Sequence, residues 1–222
     1  MKIGIIGAGN IGGTLTRRLA ALGHAVSVAN SRGPATLSDL AAETGATAAT
    51  AEDAVRGAEL VVVTIPQGKV PHLSRSLFDL RAPGAPIVDT GNYYPNRDGR
   101  IDAIEKGMLE SRWVEQQIGQ PVIKAFNNIY AKHLLEFGRP RGAKERLALP
   151  VAGDDARIKG IVMRMVEDLG FDAVDTGGLD ESWRQQPGTP CYGADLDAES
   201  LRGALADARP PRAARRKPGA RA

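Results

Sequence analysis

Cysteine is nearly missing from this chain of 222 residues, with Cys191 the only one. No intrachain disulfide can therefore form. Histidine is scarce too: His24, His72 and His133 lie far apart. No metal-ligand spacing results, and only carboxylates from distant positions could assemble a site. Long apolar runs are absent, and nothing approaches the ~18 residues of a bilayer span. Met1–Gly7 runs straight into glycines without a secretory cleavage pattern, so the expectation is a cytoplasmic protein with no membrane partner. A strong charge of either sign is missing as well. The formal net charge of +3 arises from residues 209–222, which hold Arg209, Arg212, Arg215, Arg216, Lys217 and Arg221 and no acid. The rest of the chain has a slight acidic excess. This Pro-, Ala- and Arg-rich tail is expected to be disordered and functionally silent, and no nucleic-acid partner is expected.

What is present is ordinary globular composition, 42% hydrophobic and 25% charged, enough for one sizeable core. Short apolar runs recur at Ile3–Gly7, Ala25–Asn30, Leu60–Ile65, Pro86–Asp89, Pro121–Phe126 and Leu147–Ala152. They show little polar alternation, as strands buried on both faces do. Helical patterns lie between them, at Asn10–Leu22, Thr36–Thr44, Glu52–Arg56, Val70–Phe78 and Asp155–Leu169, with a last helix near Ala198–Ala208. This order predicts an α/β fold, a doubly wound, mostly parallel sheet in a single domain over residues 1–208. A small C-terminal extension begins near residue 177 and is expected on the same sheet.

Gly7-Ala8-Gly9-Asn10-Ile11-Gly12 fits G-x-G-x-x-G between a strand and a helix, the setting of a Rossmann dinucleotide site. Gly7 permits the turn, Gly9 lets backbone approach a pyrophosphate, and Gly12 lets helix and strand pack closely. Asn30-Ser31-Arg32 stands where NAD binders usually carry an acid. With no carboxylate there, Arg32 can pair with a 2′-phosphate and Ser31 can donate to it, which favours NADP. Pro66 ends the Leu60–Ile65 strand and would bring backbone beside the cofactor. Ala125 is small enough for a nicotinamide ring to approach. Asn127 and Asn128 supply amides for a ligand, or alternatively cap the helix before Tyr130–Glu136. The turn-rich, aromatic Thr90–Gly99 segment should lie at the carboxyl edge of the sheet, where ligands bind.

No proton relay is evident. Tyr93, Tyr94, Asp89 and Lys124 are available donors or acceptors without a recognisable constellation, so no catalytic residue is named. Lys124 reads equally as a lysine that snorkels at the strand edge, Asp89 as a turn cap and His133 as structural. Hydride exchange between two redox cofactors needs mainly orientation and a dry contact.

Over roughly residues 1–185 the chain resembles the coenzyme F-420-dependent NADP oxidoreductase family. The resemblance rests on Gly7–Gly12, Ser31-Arg32, Val63-Thr64-Ile65-Pro66, Lys124-Ala125-Phe126-Asn127, Leu149–Asp155 and Val174–Leu179. It implies pyrophosphate contacts at Ala8, Gly9, Asn10 and Ile11, and 2′-phosphate contacts at Ser31 and Arg32. It also implies backbone contacts to the nicotinamide half near Ile65, Gly91 and Ala125, and a homodimer. NADP(H) is the implied cofactor, with coenzyme F-420 or a flavin as second substrate. The chain departs from the family in lacking a lysine just after Ser31-Arg32 and in having no apolar C-terminal helix for the deazaflavin. Trp183–Gly193 stands there instead, either core or a wall over the second substrate in which Arg184, Gln185, Gln186 and Tyr192 face it. The remaining alternatives are a reductase of a small imine or carbonyl compound and a non-catalytic NADPH sensor.

Overall fold

The computed structural model describes residues 1–210. The basic tail falls mainly on residues 211–222, outside the described residues. Strands β1 (Lys2–Ile6), β2 (Ala25–Ala29), β3 (Thr47–Ala48), β4 (Leu60–Val63), β5 (Ile87–Asp89) and β6 (Ile123–Lys124) form one parallel sheet in the order β3-β2-β1-β4-β5-β6. The order reverses between β1 and β4, which opens a crevice at their carboxyl ends. Every residue of β4 is buried. Leu60 and Val62 join one core cluster, with Ile3, Leu15 and Phe171, while Val61 and Val63 join another, with Phe78, Ile87 and Trp113. The period-two alternation of a strand thus feeds two apolar layers, one on each face, as the unbroken Val-rich run predicts.

Helix α1 (Asn10–Ala21) crosses from β1 to β2, followed by α2 (Ser38–Thr44) and α3 (Ala51–Val55). Its buried residues include Gly12, Leu15 and Leu19. The helix expected from Thr36 is a 3-10 turn over Pro34–Leu37 leading into α2. Val70–Phe78 is not one helix. It divides into 3-10 segments Gln67–His72 and Arg75–Leu80, separated by an extended Ser74. Pro71 has no N–H to give an α-helical ladder, and Ser74 resets the chain direction. Short helices α4 (Pro95–Asp98) and α5 (Asp102–Glu105) precede α6 (Glu110–Ile118) and α7 (Ala131–Glu136).

The C-terminal part corrects one expectation. Strands β7 (Ala148–Val151) and β8 (Asp172–Asp175) pair in parallel as a separate two-stranded sheet. An antiparallel bridge between Lys124 and Ala152 links them to β6, so the extension adjoins the main sheet instead of continuing it. Helix α8 (Ala156–Asp168) joins the pair, capped by Asp155, whose carboxylate accepts from the Ile158 N–H at 2.9 Å. Leu149, Val162, Val166 and Phe171 pack into the same cluster as Ile3 and Leu15. Arg112 of α6 ties the parts together through Asp154 at 2.7 Å and Asp180 at 2.6 Å. A 3-10 segment, Leu179–Gln185, precedes α9 (Ala198–Asp207). Among the described residues, no helix is long and apolar enough to cross a membrane.

Candidate functional site: a cleft across the switch point

Gly7 ends β1 with φ of +109°, and a Cβ there would lie 2.2 Å from the Thr64 carbonyl oxygen. A Cβ on Gly12 would lie 1.9 Å from the Gly7 oxygen. These two glycines let β1, α1 and the end of β4 touch. Gly9 differs, because nothing lies within 4 Å of its notional Cβ. The space beside it is open, as a phosphate cradle requires. Gly9 is the N-cap of α1 without a side-chain cap, and the first turn carries no acid. The leading N–H groups and the positive helix end are thus available to an anion.

A cavity of about 630 Å³ runs from this turn along β2, lined by Ala8, Gly9, Asn30, Ser31, Arg32, Lys69 and His72, among others. Asn30 shapes its far end, with its Oδ1 accepting from the Arg32 N–H at 2.9 Å and its Nδ2 donating to Thr36 at 2.9 Å. Arg32 is exposed. Lys69 and His72, missed in the sequence, add basic side chains to this cavity. Their signal was their place just beyond the carboxyl end of β4.

A second cavity of about 290 Å³ lies on the other side of the turn, lined by Asn10, Ile11, Gly91, Asn92, Tyr94, Arg97, Phe126, Asn127 and Tyr192, among others. Gly9, Thr64, Ile65 and Pro66 line both cavities. The two form one cleft across the carboxyl edge of the sheet, and it gathers the expected Ile65, Pro66 and Gly91. Ala125 does not reach the wall. It is fully buried in the core, and Phe126 takes the position, held in the left-handed region at φ of 61°. Gly12 also lies behind the wall, in the packing role expected of it.

Asn127 is present at the wall, but its amide is committed. It donates to Asn92 Oδ1 at 2.9 Å and to the Gln185 carbonyl at 2.8 Å, and accepts from Gln185 Nε2 at 2.8 Å. Asn92 in turn donates to the Asn127 carbonyl at 2.8 Å. This buried network joins the loops after β5 and β6 to the Leu179–Gln185 segment and fixes the wall. Neither Asn127 nor Asn128 caps α7, whose N-cap is Tyr130 without a side-chain bond.

Lys124 does not snorkel. It is fully buried and ion-paired with Asp89 Oδ2 at 2.9 Å, and it also donates to the Gly91 carbonyl. Asp89 caps the turn as expected, its Oδ1 accepting from the Gly91 N–H at 2.8 Å, and its Oδ2 accepts from Ser111 at 3.2 Å. The pair therefore braces Gly91 from below. Nearby Glu110 accepts from the Tyr93 N–H at 2.9 Å. Burial pushes its carboxyl up to about 7, against the opposing pull of Lys124 and the Tyr93 N–H and with help from the Asp89 and Asp98 charges. Burial would also raise Asp98, but hydrogen bonds from Arg97, Tyr94 N–H and Gly68 N–H hold it below the ordinary carboxylate value.

Of the Trp183–Gly193 residues expected to face a second substrate, only Tyr192 lines this cleft. Arg184 stacks on Trp183 and pairs with Glu181, Gln185 is buried in the asparagine network, and Gln186 borders a separate hollow beside Trp183. His133 lies away from the cleft, hydrogen-bonded to Asp195 at 2.9 Å and stacked on Phe137. Cys191 is buried and free, and burial pushes its thiol up. Among the described residues, no group of three or more His, Cys, Asp or Glu could hold a metal ion.

Residues 2–93 match the coenzyme F420-dependent NADP oxidoreductase family. The fold agrees beyond that segment. A solved structure from Arthrobacter sp. FB24, described as a proposed F420-dependent NADP-reductase, is 25% identical with a TM-score of 0.68, over 82% of this chain and 87% of that one. The hypothetical protein SMa0349 of Sinorhizobium meliloti is 29% identical with a TM-score of 0.74, over 88% and 95%. Among curated proteins, YjhV of Escherichia coli K12 is 47% identical over 62 residues, 28% of this chain. That match spans 45% of YjhV.

Proposed function

We propose that the chain is an NADPH-dependent oxidoreductase that transfers hydride between NADP(H) and a second redox cofactor or small acceptor. The observation that carries this reading is the single cleft over the β1–β4 switch point. Basic Arg32 and Lys69 line one of its cavities, its open glycine is at the helix N-terminus, and its other cavity lies beyond Gly91. The residues fit the cofactor, since the space beside Gly9 takes a phosphate and no carboxylate at Asn30-Ser31-Arg32 opposes a second one. Ala8, Gly9, Asn10 and Ile11 would hold the pyrophosphate, Ser31 and Arg32 the 2′-phosphate, and Ile65, Pro66 and Gly91 the nicotinamide half. When bound, the reduced nicotinamide supplies hydride. The protein orients the ring and holds Gly91 in place through Lys124.

Deazaflavin F-420 is the acceptor that the family resemblance supports. The same resemblance supports a homodimer, which light scattering on the purified chain tests. The function is tested by NADPH oxidation against coenzyme F-420, FMN, FAD, a quinone and a cyclic imine, with NADH as the parallel donor. Turnover with NADPH in preference to NADH is the expected result. Absence of NADPH binding would overturn the reading, and tight binding without turnover on any acceptor would favour a sensor.

A further inference from the structure

Two tyrosines that stand far apart in the sequence meet at the nicotinamide end of the cleft. The Tyr94 and Tyr192 hydroxyls lie 2.6 Å apart, and both residues line the 290 Å³ cavity with Gly91, Asn10 and Ile65. Each is held in place. The Tyr94 N–H donates to Asp98 at 2.8 Å, and the Arg97 guanidinium sits 4.9 Å from the Tyr94 ring centroid. Tyr192 is fixed on both sides: Cys191 is buried with its thiol on the Arg184 carbonyl at 3.2 Å, and the Gly193 N–H donates to the Asn128 carbonyl at 2.8 Å.

Two hydroxyls joined by one hydrogen bond carry two hydrogens, and the bond uses only one. Among the described residues no protein acceptor takes the other. The other polar groups differ. Asn92 and Asn127 have their amides committed to each other and to Gln185, and Thr90 bonds to the Val63 carbonyl at 3.2 Å. Thr64 and Asn10 line the cavity too, but an aliphatic hydroxyl or an amide is a far weaker acid than a phenol.

We propose that the Tyr94–Tyr192 hydroxyl pair delivers the proton for reduction of a compact carbonyl or imine compound in this cavity. The proposal rests on the NADP(H) reading above and names its substrate class. The cavity, about 290 Å³, falls just short of the range of ligand sites, about 300 to 1,000 Å³, and it must also admit the nicotinamide. A compact C=O or C=N compound suits it better than a tricyclic ring. The step balances. The substrate carbon gains hydride from the reduced nicotinamide, the π pair moves to oxygen or nitrogen, and that atom takes the free phenol proton. The phenolate takes the proton of its partner hydroxyl, and a proton from solvent water restores the pair once the product has left the cavity. The products are an alcohol or amine and NADP⁺.

The test uses the full chain with 2-methyl-1-pyrroline, cyclohexanone and pyruvate, and with coenzyme F-420 and FMN as comparators. NADPH affinity is titrated separately by fluorescence. The expected result is turnover on a C=O or C=N compound with a solvent deuterium effect on kcat. Tyr94→Phe and Tyr192→Phe should each lower kcat about 100-fold or more. The double variant should lose little beyond either single one, because the pair acts as a unit. NADPH affinity should stay within about twofold throughout. Turnover on F-420 or FMN alone, or Phe variants that keep kcat, would overturn the proposal while leaving the NADP(H) reading intact. Failure to bind NADPH would overturn both, and the titration reports it independently.

Discussion

Lys124 Nζ sits 2.9 Å from Asp89 Oδ2, and both side chains are buried at the carboxyl ends of adjacent strands. The pair is the floor of the site, since both partners hold Gly91, one through its carbonyl and one through its N–H. Lys124→Met leaves Asp89 as a buried, unpaired charge. It should cost about 3–5 kcal/mol of unfolding free energy. Adding Asp89→Asn removes the stranded charge and should recover part of that loss. Urea denaturation of the wild type, both single variants and the double variant measures the coupling. An additive double variant would mean that the two groups do not depend on each other.

Arg32, just beyond β2, and Lys69, just beyond β4, both line the long cavity. A charge-assisted bond to phosphate contributes about 1.5–3 kcal/mol. Arg32→Ala should therefore weaken NADPH binding about 10- to 100-fold and change NADH binding by no more than about twofold. Lys69→Ala should move NADPH in the same direction. Parallel titrations with both nucleotides check this, and equal losses for the two would sink the 2′-phosphate assignment.

What could be read in advance depended on how local each signal was. The strands of the main sheet follow from unbroken apolar runs, and the glycine turn and Ser31-Arg32 each lie within a few residues. β3 is only Thr47–Ala48, too short to show a pattern. Pro71 and Ser74 broke a helical pattern that composition alone suggested. The wall of the site is non-local. Asn92 and Asn127 come from two loops and Gln185 from a distant 3-10 segment, and Tyr94 meets Tyr192 across 98 residues. A turn-rich segment after β5 could be placed at the carboxyl edge, but nothing in its residues named its partner. Lys124 looked like an edge lysine because its counter-ion is 35 residues away on the neighbouring strand.

Glu110 gives the fold a pH dependence. Its carboxyl is pushed up to about 7 in the folded chain from an ordinary value of 4.5. A raised acid favours the folded state while both states are protonated, and that contribution is lost as pH rises through the folded value. Relative to Glu110→Gln, the wild type should lose on the order of 1–2 kcal/mol between about pH 4.5 and pH 7.5, discounted for the group's partial contact with water. Urea melts of both proteins across that range measure the difference. A flat difference would mean that Glu110 titrates normally.

Gly9 and Gly12 stand three residues apart in one turn and should fail in opposite ways. A Cβ on Gly12 meets the Gly7 carbonyl oxygen at 1.9 Å, and backbone cannot swing aside as a side chain can. Gly12→Ala should therefore lower stability by about 1–3 kcal/mol or more, with NADPH affinity falling as a consequence. A Cβ on Gly9 meets nothing within 4 Å, and its φ of −76° suits any residue. Gly9→Ala should melt within about 1 °C of the wild type, since the change strains nothing and creates no cavity. It should nevertheless lose about tenfold or more in NADPH affinity, because the methyl occupies the space where the pyrophosphate would approach the backbone. Thermal melts without nucleotide separate the two variants, and NADPH titration then reads the site. A Gly9→Ala chain that keeps full affinity would show that no phosphate uses this cradle, and the cofactor assignment would lose its geometric basis.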